Sequence, residues 1–220
     1  MLKERMEMVN VLVVRANNRP DGVSTKMYEV FMQQMDGKPN VNVKTFDVFK
    51  EDMPYFGQDF FDVFSKMQKN EELTAEDQRL INAQQKAQQA IKDADVVVFA
   101  FPLWNLTIPA TLHTFFDYTY VVNFAFKYSP EGQLISLLTD KKAVILNARG
   151  GIYSTPETSP MEMSANYVRN VVGGVFGMEL IDEVIIEGHN AHPDKADEIK
   201  AKGFEQVKVV ADKVAQLAEG

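Results

Sequence analysis

Short apolar runs alternate along the chain with stretches whose apolar residues recur at helical spacing. The runs are Val9–Val14, DVVVFAF at 95–101, KKAVILNA at 141–148 and IDEVIIEG at 181–188. Their length and β-branched content predict strands, with Val9–Val14 read as a buried one. A fifth segment, VNVKTFDV at 41–48, alternates and predicts the second strand in chain order. Between the strands lie helical patterns. One runs from Ser24 to about Met35, with Met27, Val30, Phe31 and Gln34 on neighbouring turns. Another spans 74–94, with Thr74 as N-cap, acids in the first turn, and Leu80, Ala83, Ala87, Ala90 and Ile91 at helical spacing. Pro109 suits the first turn of a helix running to about Val121. A helix is expected near Met161–Val172, and an amphipathic one over 195–218 with Ile199, Phe204, Val207, Val210, Val214 and Leu217 on one face.

Five strands alternating with five helices call for an α/β fold, a five-stranded parallel sheet covered on both faces. Two segments stand outside the alternation. Residues 50–72 are a polar and aromatic insert, read as solvated surface or subunit contact. NFAFKYSPEGQLISLL has two extended arms around Ser129-Pro130-Glu131-Gly132, a hairpin-like excursion. No repeat and no dividing linker is visible, so residues 1–220 are expected to form a single domain.

Composition narrows the chemistry. The 220 residues include no cysteine, which excludes disulfides, cysteine zinc sites, iron–sulfur ligation and thiol catalysis. A net charge of −8 disfavours nucleic acid and anionic membrane as main partners. The apolar run in MLKERMEMVNVLVV is too short to span a membrane, and no small-residue cleavage site follows it. It reads as strand one with a brief lead-in, and the whole profile fits a cytoplasmic protein.

In open α/β sheets ligands bind beyond the carboxyl ends of the strands, at the switch point. The loops there are RANNRPDGVST, PLWNLTIP and ARGGIYS. The first feeds Ser24, Thr25 and Lys26 into a helix start, which is either a phosphate cradle or simple N-capping by Ser24. It is neither G-x-G-x-x-G nor G-x-x-x-x-G-K-[ST], so a dinucleotide fingerprint and a nucleoside triphosphate loop are both absent. The second puts Leu103, the lone Trp104, Asn105 and Leu106 at a strand exit. They suit a flat heteroaromatic ring, or Trp104 anchors a core or an interface. The third offers two glycines that let backbone approach a ligand, with Arg149 either near a ring edge or in a surface turn. His189 and His192 are spaced H-x-x-H on a loop with no third ligand evident, so no metal site is expected.

FPLWNLTIPATLHTFFDYTYVVNFAFKY, LTDKKAVILNARGGIYS and IIEGHNAHPDKADEI carry a resemblance. With VLVV near the start, they make the chain similar to the FMN-dependent NADH-azoreductases. These form a quinone-reductase-like branch of the flavodoxin-like fold, a three-layer sandwich. The resemblance implies that Asn17, Val23, Ser24 and Thr25 hold the FMN phosphate. It implies that Leu103, Trp104, Asn105 and Leu106 cradle the isoalloxazine, with Ala148, Arg149, Gly150 and Gly151 at its pyrimidine end. Phe126 and Tyr128 would cover the flavin face in a homodimer and meet the substrate. The reaction implied is ping-pong: NADH or NADPH gives hydride to FMN, then a quinone or azo compound takes two electrons. The flavin carries the chemistry, so no catalytic side chain is expected. Arg149 is a candidate to stabilise charge on reduced flavin, or it salt-bridges nearby. The chain departs from the family pattern at Arg15-Ala16-Asn17, where relatives often carry serines, and in the glycine-rich VVGGVFGM. The rival readings are a flavodoxin-type electron carrier without enzymatic activity and a receiver-type signalling domain. The latter lacks its acids after strand one and its aspartate after strand three.

Overall fold

The computed structural model describes residues 8–219. The charged lead-in expected before strand one lies outside them. Five parallel strands form the central sheet: β1 (Val9–Arg15), β2 (Val41–Asp47), β3 (Val96–Pro102), β6 (Lys142–Arg149) and β7 (Glu179–Glu187), in the order β2-β1-β3-β6-β7. The order reverses direction between β1 and β3, so their carboxyl ends define the switch point. Every residue of β3 is buried, which is why its sequence is apolar without alternation.

One face of the sheet carries α1 (Val23–Met35) and α6 (Ala196–Gln216). Met27, Val30 and Phe31 meet Val207, Val210 and Val214 there, over Val11, Val13 and Val98. The opposite face carries α2 (Gln58–Gln68), α3 (Ala75–Lys92), α4 (Ala110–Thr119) and α5 (Ala165–Arg169). They pack Phe60, Leu80, Leu112, Phe115, Phe116 and Val168 against Phe99, Phe101 and Ile145. The three layers follow from period-2 strands and 3.6-period helices burying complementary faces.

Several boundaries differ from the sequence reading. The 50–72 insert holds a complete helix, α2, which the sequence pattern did not separate from its polar surroundings. Phe60 and Val63 bury it, and Lys66 Nζ donates to both Asp77 oxygens at 2.9 and 2.7 Å. Thr74 caps α3 as expected, in a reciprocal capping box with Asp77. Pro109 is the N-cap of α4, one residue outside it, and the helix stops at Thr119. The helix expected at 161–172 is a 3-10 turn at Ser159–Met161, then α5, then a π-helical stretch at Asn170–Val175. The excursion is a hairpin of β4 (Phe126–Tyr128) and β5 (Leu134–Ser136), antiparallel as anticipated.

Candidate functional site

Three loops meet at the carboxyl edge of β1, β3 and β6. The first leaves β1 through Ala16, whose N–H donates to Ala100 O on β3 at 2.9 Å. Asn17 is 2 % exposed and ties the loop together. Its Nδ2 donates to Ser24 Oγ (2.8 Å), and its Oδ1 accepts from the Arg19 N–H (2.9 Å). Gly22 lies so close that a Cβ there would overlap the Asn17 amide. Thr25 Oγ1 donates to Arg19 O at 2.8 Å.

Of the two readings of this helix start, simple N-capping by Ser24 does not hold. Gly22 holds that position, no side chain caps the helix, and its first turn has no acid. Ser24 lies inside the first turn and accepts from Asn17, which leaves its own hydroxyl proton available. The first N–H groups of a helix lack intrahelical partners and sit at the positive end of its dipole. Here they emerge beside two buried hydroxyl residues and a close-packed glycine. That donor set suits a phosphate. The nearby arginines are engaged elsewhere: Arg19 pairs with Asp21 (2.9 Å), and Arg15 pairs with Asp47 (3.2 Å) while lying over the Tyr28 ring.

The second loop starts where the Leu103 N–H donates to Ala148 O at 2.9 Å. Trp104 and Thr107 then exchange both backbone hydrogen bonds, at 2.9 and 3.1 Å, around Asn105 and Leu106. Both central residues have positive φ, 50° and 71°. This is a tight left-handed turn, comfortable for Asn and strained for Leu. Strain of this kind concentrates at ligand clamps. The Met163 N–H donates to Leu106 O at 2.9 Å and fixes the turn from α5's side.

The third loop follows β6. Gly150 O accepts from the N–H groups of Asn190 (3.0 Å) and Ala191 (3.2 Å), and the Gly188 N–H donates to Gly151 O (3.0 Å). A Cβ at Gly150 would overlap the Asn190 side chain, so the glycine turn is pressed onto the 188–192 turn. Arg149 is 6 % exposed. Its Nε donates to Glu187 Oε2 at 2.9 Å, and its Nη1 lies 3.6 Å from Glu162 Oε1. Of the two roles open to Arg149, the geometry has the nearby salt bridge.

Trp104 and Asn105 also line a cavity of about 710 Å³ with Phe49, Tyr55, Ile108, Pro109, His113 and Asp117. Its wall is apolar and aromatic with a few polar groups, the character of a small-molecule site. Burial pushes the Asp117 carboxyl up, against the opposing pull of His113. A smaller crevice of about 340 Å³ runs along β2 and α3, beside the amino-terminal half of β1 and away from all three loops.

Phe126 and Tyr128 stand differently. Phe126 is buried between the Tyr120 and Tyr128 rings, at 5.3 and 5.6 Å, whereas Tyr128 is 60 % exposed on the hairpin. His189 lies in the turn beneath Gly150, and burial, with help from Lys200, pushes its imidazole down. No group of three or more His, Cys, Asp or Glu that could hold a metal occurs among the described residues. Sequence reasoning missed Glu162 and Glu187. Each left a faint signal, a carboxylate just ahead of a helix start and another at a strand end, after the apolar Val184-Ile185-Ile186.

A parallel sheet of this strand order, with an anion-ready helix start, a strained turn and a glycine turn at its switch point, defines the flavodoxin-like class of α/β proteins. The chain belongs to that family, whose model, described as a flavodoxin-like fold, matches residues 9–210. Within it, the chain falls among the FMN-dependent NADH:quinone oxidoreductases and azoreductases. It is 45% identical over 209 residues to FMN-dependent NADH:quinone oxidoreductase 3 of Bacillus cereus, covering 94% of this chain and 100% of the relative. It is 41% identical over 209 residues to FMN-dependent NADH:quinone oxidoreductase 1 of Bacillus subtilis, with the same coverage. A crystal structure of an azoreductase from Bacillus anthracis superimposes with a TM-score of 0.85 at 44% identity, over 94% of this chain and 100% of that one.

Proposed function

We propose that the protein is an FMN-dependent NAD(P)H oxidoreductase that reduces quinones and azo compounds, with residues 1–220 acting as one FMN-binding domain. The observation that carries this is the start of α1. It is uncapped, free of acids, and set beside the buried Ser24 and Thr25, in a chain 45% identical to a named FMN-dependent NADH:quinone oxidoreductase. The Ser24 hydroxyl and the N–H groups of Val23, Ser24 and Thr25 would hold the FMN phosphate, with Asn17 shaping the loop around it. Leu103, Trp104, Asn105 and Leu106 would hold the ring system. Ala148, Arg149, Gly150 and Gly151 would present backbone to its pyrimidine end.

When bound, the flavin supplies hydride acceptance from a nicotinamide and two-electron donation to an acceptor. The protein binds, orients and excludes water, and no side chain acts as nucleophile. The names of the relatives make NADH the preferred donor in this reading. The donor leaves before the acceptor enters, so the kinetics are ping-pong. Exposed Tyr55, Phe61, Phe64, Tyr120 and Tyr128 support a homodimer, in which Tyr128 of one subunit reaches the flavin of the other. No helix among the described residues is long and apolar enough to cross a membrane, and a cytoplasmic location accords with this reading.

The test is anaerobic. NADH should bleach the flavin absorbance of the purified protein, and a quinone added after the nicotinamide is removed should restore it. Bleaching without restoration would point to a different acceptor chemistry. No bleaching by NADH or NADPH would overturn the oxidoreductase reading.

A further inference from the structure

Arg149 ends β6 one residue before the two glycines, where a free guanidinium would stabilise negative charge on a ring edge. Its side chain turns instead into the protein, between Glu187 and Glu162. Burial pushes the Glu162 carboxyl up. The Ser164 hydroxyl and the N–H groups of Ala165, Asn166 and Ser164 outweigh that and hold it below the usual carboxylate range. Burial likewise raises Glu187, and Ser154, the Tyr153 N–H and Arg149 together bring it below. Both carboxylates are therefore ionised at neutral pH, and one cation faces two anions. The other cation that feels Glu162, Arg169, is itself engaged, paired with Glu183 at 2.8 Å. His189 is pushed toward its neutral form, and Lys200 is paired with Asp197 at 2.7 Å.

We propose that the buried Glu162–Arg149–Glu187 triad sets the electron affinity of the bound flavin. It locks the glycine turn to β7 and α5 while leaving net negative charge at the root of that turn. The inference rests on the FMN reading above and extends it to how strongly the cofactor reduces. Reduction adds electrons to the ring, and a neighbouring negative charge in a poorly screened site opposes that addition. The bound flavin is thereby a stronger reductant than a free guanidinium at this position would make it. The triad acts as a positioning and tuning device, since none of its groups needs to touch the reacting atoms.

The experiment is a redox titration of the flavin-loaded full chain, followed by absorbance. Glu187→Gln removes one negative charge and keeps a hydrogen-bond acceptor. It should shift the equilibrium toward reduced flavin by about tenfold or more, about 30 mV upward for a two-electron couple. Glu187→Asp keeps the charge and should stay at the wild-type potential even where FMN retention falls. Glu162→Gln, which also weakens the start of α5, should shift the potential in the same direction as Glu187→Gln. A Glu187→Gln potential at or below wild type would overturn the proposal, as would an Asp variant that shifts as far as the Gln variant. A wild-type chain that takes up no flavin would overturn the FMN reading itself, before any variant is made.

Discussion

Gly22→Ala probes the phosphate loop without touching a group that would contact the ligand through its side chain. Gly22 has φ −68° and ψ 134°, a conformation alanine adopts freely, so backbone strain is not the issue. The added Cβ would overlap the Asn17 amide and stand 3.2 Å from Arg19 O. Asn17 is buried and bonded at both ends, so it can yield only by giving up its bonds to Ser24 and Arg19. Two such bonds, each with a net value of about 1 kcal/mol, put the cost near 2 kcal/mol. For a chain of this size that lowers the melting temperature by about 4–8 °C. Asn17→Ala loses the same two bonds and should cost a similar amount. Independent effects would sum to about 4 kcal/mol in the double variant. If the overlap is the cause, the double variant should cost only about 2 kcal/mol, because the space Asn17 vacates accepts the new methyl. Thermal melts of the four proteins, with FMN titrations alongside, make the cycle. Additive costs, or a Gly22→Ala protein that melts and binds FMN like wild type, would refute the reasoning.

Other expectations follow from the same geometry. Gly203→Ala places a methyl against Ile186 on β7, so overpacking of about 1–3 kcal/mol should outweigh the gain in helix propensity and lower the melting temperature, with FMN affinity unchanged. Asn105→Ala should weaken FMN retention and add about 1 kcal/mol of backbone cost at φ 50°, whereas Asn105→Gly keeps the turn and isolates the side chain's share; equal FMN affinity in all three would remove Asn105 from the site. Gly150→Val should displace Asn190 and the 188–192 turn and release FMN, as read by flavin fluorescence. Lys66, with the Thr74 cap, holds the Asp77 carboxyl down at about 2. Its folded pKa lies below the unfolded one, so its stabilisation is complete above about pH 4 and is lost as pH falls toward 2. Asp77→Asn should flatten the acid limb of a stability–pH curve in that window.

The strands were legible because β1, β3 and β6 are buried on both faces and so are almost wholly apolar. Thr74, the acids after it and the helical spacing of Leu80, Ala83, Ala87 and Ile91 announced α3. The helix α2 escaped because only Phe60 and Val63 of its eleven residues are buried, while Phe61, Phe64 and Met67 face outward and blur the period. At the site, the three loops were visible as composition, but their conformations were not. Capping by Ser24 was one of two readings because a hydroxyl near a helix start is often a cap, but Gly22 holds the N-cap and Ser24, two residues on, accepts from Asn17. The positive φ of Leu106 has no sequence signal, since leucine is a poor choice for that backbone. Arg149 carries the charge its position suggested, but its use depends on Glu162 and Glu187, 13 and 38 residues further along the chain.

The central claim is that the carboxyl-edge loops hold FMN. It is tested most directly by titrating the purified chain, stripped of any bound cofactor, with FMN and following the flavin spectrum and fluorescence. The account expects saturable uptake of one FMN per chain, with affinity falling on Ser24→Ala and Asn17→Ala. Free FMN that stays spectrally unchanged in the presence of folded protein would contradict it.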